Sequence, residues 1–472
     1  MSPTAWRAVA AGLGVAGLVC LGLAVPASRA SGGAPNGSLG TPLWSARRVP
    51  TLVGDAAAAQ HLQRALDGDV GGVAASCFVV AEGRQPLVAH APDSALIPAS
   101  TEKLLTATAA LHVLGPDFRY ETKVVAAAPP AGGTEPQVWM VGAGDSVLAT
   151  GDFAAYLQSQ PTTHNVAVTT RLEPLADAIV NQGVRSIPGG VVGDDARYDA
   201  QRYLPSWPPS YRTDPDIGPL GALTVNGGYK LVGGSRLVPV DDPALAAAQT
   251  LTQLLQARGV QVGPASAHQP PPAAPATVAS VSSPPLRDIL TSDLRASNNL
   301  TGELLVKELG VRVGGQGTTS AGVRAITSTL QGLGVPTSGL SLVDGSGLDR
   351  GDRVSCRTLA GVLDLAAQPA FRTILDALPV AGEQGTLAGR LQGTPLAGKL
   401  RAKTGTLSGV GGLAGVLDVG RPLRFALLLN GNLTLAQAMD ARERFAVTLA
   451  TFPDISGDAL VPAPAAVTPR TG

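Results

Sequence analysis

Pro98-Ala99-Ser100-Thr101-Glu102-Lys103-Leu104-Leu105 is the stretch on which the fold turns. Leu104, Leu105, Ala107 and Leu111 recur at helical spacing, so the pattern predicts a helix opened by Ser100. Residues i and i+3 share a helix face, which puts the Lys103 amine beside the Ser100 hydroxyl. A serine hydroxyl is a poor nucleophile at neutral pH and needs a neighbouring base. Lysine serves as that base only when burial or a second cation lowers its pKa. The apolar neighbours Leu104, Leu105 and Ala107 favour burial, and the helix start adds backbone N–H groups suited to an oxyanion.

Two later motifs complete a set: Ser297-Asn298-Asn299 and Lys403-Thr404-Gly405. Ser297 offers a hydroxyl that relays a proton to a leaving amine. Asn299 offers an amide for a substrate peptide and for the Lys103 head. Lys403 is the candidate second cation. On a strand carrying Lys403 to Thr406, Gly405 lets a substrate approach the backbone closely. The Thr406 N–H is then the candidate second oxyanion donor. Lys403, Thr404 and Thr406 form a cationic, hydroxyl-lined pocket for a terminal carboxylate. A lone Ser-x-x-Lys is expected by chance in a chain this long. Lysine is scarce here, however, and two of the few lysines fall in these motifs. The ordered set specifies serine acyl transfer with a lysine base.

Composition bounds the rest. The chain has 472 residues, 44% hydrophobic and 15% charged, which suits a packed core and two or more domains. Net charge is zero with no basic stripe, which argues against nucleic acid as a partner. Residues 1–30 read as an export signal: Arg7, an apolar run from Ala8 to Val25, then small residues through Ala30. The competing reading is an uncleaved N-terminal membrane anchor, since the run falls only slightly short of the roughly 20 residues of a span. Cys20 lies inside that run, and the bulky Val19 before it does not suit a lipidation site. The expected location is extracytoplasmic, soluble or tethered once. Export leaves Cys77 and Cys356, either as a disulfide or as two buried thiols.

Residues 31–50 read as a Gly/Pro/Ser linker, 51–115 as the first part of a catalytic domain, and 116–283 as one or two inserted, mostly β domains. Residues 284–460 read as the second part and 461–472 as a disordered Pro/Ala tail. Within these, Ala74–Ala91 predicts a hairpin about Glu82-Gly83-Arg84 and Leu286–Leu290 a helix leading to Ser297. Leu413–Val419 and Leu423–Leu429 predict a buried hairpin, and Leu435–Leu449 a closing helix. If the three motifs share one site, their order forces the catalytic domain to be discontinuous.

Competing chemistries are weak. Gly144-Asp145-Ser146 resembles an esterase nucleophile motif, yet no histidine follows His268 to serve as its partner. Gly393–Leu400 nearly matches a phosphate-binding loop, but Leu400 replaces the hydroxyl that would hold magnesium. The five histidines lack metal-ligand spacing, so neither a metal nor a cofactor is expected.

Ser297-Asn298-Asn299, Val343-Asp344-Gly345-Ser346-Gly347-Leu348-Asp349-Arg350 and Gly398–Leu407 resemble the class C low-molecular-mass penicillin-binding proteins. So do Gly142-Ala143-Gly144-Asp145, Gly193–Tyr198 and Leu223–Gly227 in the insert. The resemblance covers nearly the whole mature chain and implies an α/β transpeptidase/β-lactamase-like domain. In it a five-stranded antiparallel sheet is flanked by helices and carries inserted domains after the Ser100 helix. It implies a D-alanyl-D-alanine carboxypeptidase/endopeptidase acting on peptidoglycan stem peptides, with β-lactam antibiotics acylating Ser100. It also implies that Asp145 and Arg350 help hold the diaminopimelate side chain. Two positions depart from the family pattern: Asn298, where Asp is frequent, and Ser146, where Pro is. The alternatives are a serine β-lactamase, for which no deacylating Glu can be assigned, and an inactive wall-binding scaffold.

Overall fold

The computed structural model describes residues 49–83, 85–160, 167–418 and 420–453. The expected leader, nearly all of the linker and the expected tail lie outside the described residues. Among those described, no helix is long and apolar enough to cross a membrane. Residues before Asp55 separate as a unit of their own, and the chain from Asp55 onward groups as a second.

The first part of the chain forms α1 (Val49–Val70), β1 (Ala75–Glu82), β2 (Gln85–His90) and α2 (Lys103–Leu114). Residues 121–282 supply β3 (Glu121–Ala126), β4 (Val138–Val141), α3 (Gly151–Ser159), α4 (Glu173–Asn181), β5 (Val184–Ile187) and β6 (Val191–Asp194). They continue with β7 (Tyr229–Val232), β8 (Arg236–Pro239), α5 (Pro243–Gln256) and β9 (Ala276–Ser282). The last part forms α6 (Leu286–Ala296), α7 (Asn299–Gly314), α8 (Thr319–Gly332), α9 (Cys356–Ala366), β10 (Leu400–Leu407), β11 (Val410–Asp418), β12 (Pro422–Asn430) and α10 (Leu435–Leu449).

The main sheet is antiparallel throughout, in the order β10-β11-β12-β1-β2. Successive strand side chains alternate faces. Phe78, Val80, Phe425, Leu427 and Leu429 therefore pack on one side with Leu62 and Leu66 of α1 and Phe445 of α10. Cys77, Val79, Ala426 and Leu428 pack on the other with Leu104, Leu105, Leu290, Leu305 and Leu359. A strand covered on both faces reads as an unbroken apolar run, which is why Phe425–Leu429 shows no alternation in sequence. Cys77 on β1 is disulfide-bonded to Cys356 at the start of α9, with 5.9 Å between their Cα atoms.

A second five-stranded sheet runs Ser266–Ala267, β6, β4, β3, β9. The sheet is mixed, and three helices accompany it where a mostly β insert was expected: β4 lies parallel to β6, and Ser266–Ala267 is also parallel to β6. Parallel neighbours need crossovers, and α3 and α4 lie in the connection from β4 to β6. Leu175, Ala176 and Ile179 of α4 and Leu251 and Leu255 of α5 fill this sheet's core. Asp242 starts α5 by accepting the Ala244 and Leu245 N–H groups.

Candidate active site

Ser100 lies in a 3₁₀ turn, Ala99–Glu102, that runs directly into α2 rather than inside the α-helix. At three residues per turn, side chains i and i+3 eclipse. Lys103 Nζ accordingly lies 3.1 Å from Ser100 Oγ. The turn is held from both sides by close backbone contact. Ala99 is fully buried at φ 46°, a sparsely populated region for a residue with a side chain. A Cβ on Gly347 would stand 2.1 Å from the Ala99 carbonyl oxygen, and one on Gly405 2.6 Å from that of Pro98. Both glycines are thus required by proximity to the Ser100 turn.

The other motifs converge here. Lys103 Nζ also donates to Asn299 Oδ1 and to the Ser346 carbonyl, each at 2.7 Å. Ser297 caps α6 in the left-handed region at φ 56°, and its Oγ accepts from Lys403 Nζ at 2.7 Å. Asn298, the departure from the family pattern, caps α7 by accepting the Thr301 N–H. Asn299 Nδ2, expected to serve substrate, donates to the Asp216 carbonyl at 2.9 Å.

Strand β10 lies at the edge of the sheet. Ala402 N–H donates outward to the Pro379 carbonyl. Alternate residues of an antiparallel strand share one edge, so Thr404 and Thr406 turn their N–H groups the same way. The Thr404 hydroxyl pairs with that of Thr386 at 2.8 Å.

Sequence reasoning missed Arg442. This buried α10 residue donates through one Nη1 to the Gly405 carbonyl and the Thr406 hydroxyl, both at 2.7 Å. Burial pushes its guanidinium down to about 10. The cue was Arg442 on the Ala438–Ala441–Phe445 apolar face, which by itself reads as a snorkelling surface residue beside Glu443 and Arg444.

Both lysines are fully buried. Burial pushes Lys103 below the ordinary lysine range, against the pull of Asp293, Asp344, Glu303 and Glu102. Lys403 is pushed further, by burial first and by the neighbouring Lys103 charge second. Asp293 is raised to about 7 by burial, opposed by those two lysines. The Lys103 charge thus lowers Lys403, the reverse of the expected direction, whereas Lys103 itself is lowered by burial.

Asp145 is buried: its carboxylate accepts the Val147 N–H at 3.0 Å, and burial raises it to about 6. Arg350 is exposed and donates to the Ser408 carbonyl at the β10–β11 turn. Neither lines the cavity of about 440 Å³ beside the second motif, whose walls include Ser146, Tyr156, Tyr229, Ser297, Asn299 and Thr301. Ser146 does reach the motif helix, through a 3.1 Å contact with the Thr301 hydroxyl. A larger cavity of about 520 Å³ shares Tyr229 but contains no motif residue.

An antiparallel sheet with a Ser-x-x-Lys turn packed against a Lys-Thr-Gly edge strand is the architecture of the transpeptidases and serine β-lactamases. The chain belongs to the D-Ala-D-Ala carboxypeptidase 3 (S13) family, whose model matches residues 55–235 and 232–452. By that membership it is a serine-type D-Ala-D-Ala carboxypeptidase. It is 35% identical to a carboxypeptidase of Mycobacterium tuberculosis over 409 residues, 82% of each chain. It is 30% identical to the D-alanyl-D-alanine carboxypeptidase of an Actinomadura species, again over 82% of each. The fold matches penicillin binding protein 4 of Haemophilus influenzae with a TM-score of 0.68 at 20% identity, covering 81% of this chain and 97% of that one. That protein has also been solved in complex with a β-lactam, which matches with a TM-score of 0.61 at 22% identity.

Proposed function

We propose that Ser100 is the nucleophile and Lys103 the base of a peptidase that cleaves the terminal D-Ala-D-Ala bond of peptidoglycan stem peptides. The observation that carries this is the set of partners around Lys103 Nζ. A neutral amine has two N–H groups and one lone pair. The Asn299 and Ser346 oxygens accept the two N–H groups. The lone pair is left for the Ser100 hydroxyl. Lys103 then takes the Ser100 proton as Oγ attacks the substrate carbonyl carbon. The C–N bond breaks, and the departing D-Ala amine gains a proton through Ser297, which Lys403 holds in place. Water hydrolyses the resulting ester. The Ser100 and Thr406 N–H groups are the oxyanion donors, and Thr404, Thr406 and Lys403 receive the terminal carboxylate, with Arg442 fixing the Thr406 hydroxyl. Asp145 acts indirectly, by ordering the Ser146–Val147 wall of the cavity beside Asn299. Arg350, exposed at the β10–β11 turn, is the group that meets a diaminopimelate carboxylate of a stem peptide or cross-link in this reading.

Residues 51–115 and 284–460 form the catalytic body in this reading, and 116–283 the insert. The disulfide and the cell-wall substrate support an extracytoplasmic location. A fluorescent penicillin should label the protein covalently, and Ser100→Ala should abolish labelling. Label retained by the folded variant refutes the assignment. Release of D-Ala from a diacyl-D-Ala-D-Ala peptide, without rapid release of hydrolysed penicillin, separates this reading from a β-lactamase.

A further inference from the structure

Behind the nucleophile turn lies an unusual concentration of buried acid. Glu102, Asp344 and Asp352 are fully buried, and each brings a carboxylate oxygen within 4.8 Å of the others. Glu303 of α7, also fully buried, completes the ring of acids facing Glu102. Lys103 is the nearest cation among these groups and is already committed to Ser100, Asn299 and Ser346.

Hydrogen-bond accounting distinguishes the members. Asp344 accepts four donors: Ser346 and Gly347 N–H on one oxygen, Asp349 N–H and Trp207 Nε1–H on the other. Glu303 accepts Gly345 and Ser346 N–H. Asp352 accepts Val343 and Asp344 N–H on Oδ1 only. Neither oxygen of Glu102 has a partner, whereas Asp352 and Glu303 each leave one oxygen, Oδ2 and Oε2, without one. Four donors stabilise a charged carboxylate at Asp344, whereas nothing stabilises charge on Glu102. A cation bound by all three would also have to compete with the N–H groups that fill Asp344.

We propose that Glu102 carries a proton and donates it to Asp352, and that this carboxyl–carboxylate bond clamps the Ser100 turn to the Asp344–Asp352 loop. Glu102, Asp344 and Asp352 are all buried with carboxylate oxygens within 4.8 Å of one another, and like charges so placed cannot all stay ionised, so a proton on one of them relieves the repulsion. Burial, reinforced by Asp352 and Asp344, drives Glu102 well above the ordinary carboxyl range. Glu102 is thus a positioning residue: it acts through the loop that supplies the Ser346 carbonyl to Lys103. The inference rests on Ser100 as nucleophile, which the labelling experiment tests separately.

The test is a set of Glu102 variants in the full chain, read by penicillin acylation rate across pH. Glu102→Ala should slow acylation by roughly 10- to 100-fold, as expected when reacting groups are misplaced. Glu102→Gln, which supplies the same donor without a titrating proton, should restore most of the rate. It should also hold that rate to higher pH than the native residue. The native protein should show an infrared band of a buried protonated carboxyl that Glu102→Gln removes. Loss of the rate in Glu102→Gln comparable to that in Glu102→Ala, absence of the band, or Glu102-dependent stabilisation by calcium or magnesium would each overturn the proposal.

Discussion

Lys103 has three partners of two kinds, and that difference gives the residue its chemistry. Two oxygens can only accept, while the third partner is a hydroxyl that can donate. Such detail is invisible in Ser-x-x-Lys, because the spacing fixes the neighbour on the same face but not the groups arriving from α7 and from the Ser346 loop. Arg442, Glu102 and Asp352 escaped for the same reason: each looks like a surface charge until the chain folds over it. Asp145 was legible as a site-region residue but not as a buried one. Its carboxyl, raised from 3.8 to about 6, binds a proton more tightly folded than unfolded. The stability it contributes is full below pH 4 and is lost as pH rises through 6, to a total of about 3 kcal/mol. Asp145→Asn should therefore raise the melting temperature at pH 7 relative to the native protein, with the gap closing near pH 4. A gap constant across pH would show that the carboxylate holds its charge.

The decisive contact between elements is the approach of β10 and β11 to the 3₁₀ turn. It needs glycine at Gly405 and Gly412, because a Cβ at either would lie within about 3 Å of the Thr101 methyl or the Pro98 oxygen. The three-residue motif is thus as much a packing requirement as a binding one. Gly405→Ala should cost about 1–3 kcal/mol, as overpacking does, and should depress penicillin acylation more than denaturation midpoint. Unchanged acylation in this variant would mean the turn yields freely. Helix positions were readable from apolar spacing and caps: Leu435–Leu449 matches α10 residue for residue, with a Thr434–Gln437 capping box at its start. The helices of residues 121–282 were obscured by the surrounding short strands and turns. Their parallel strand pairs were beyond reach, since no local signal names a strand's partner.

At the scale of the molecule, β1 from the early chain sits between β2 and β12, the last strand among the described residues. The Cys77–Cys356 bond ties the same distant parts, 279 residues apart. Closing so long a loop constrains the unfolded chain strongly, so replacing both cysteines with serine should lower unfolding free energy by about 3–5 kcal/mol. Equal stability of the double variant and the native protein in chemical denaturation would reject that estimate. The placement of β12 also has a temporal meaning. The first motif leaves the ribosome about three hundred residues before the third, and the strand beside β1 is made later still. During synthesis Ser100 therefore stands next to neither Lys403 nor the edge strand, and an incomplete chain has no hydrolase to misdirect. Competence arrives all at once, with the final strand.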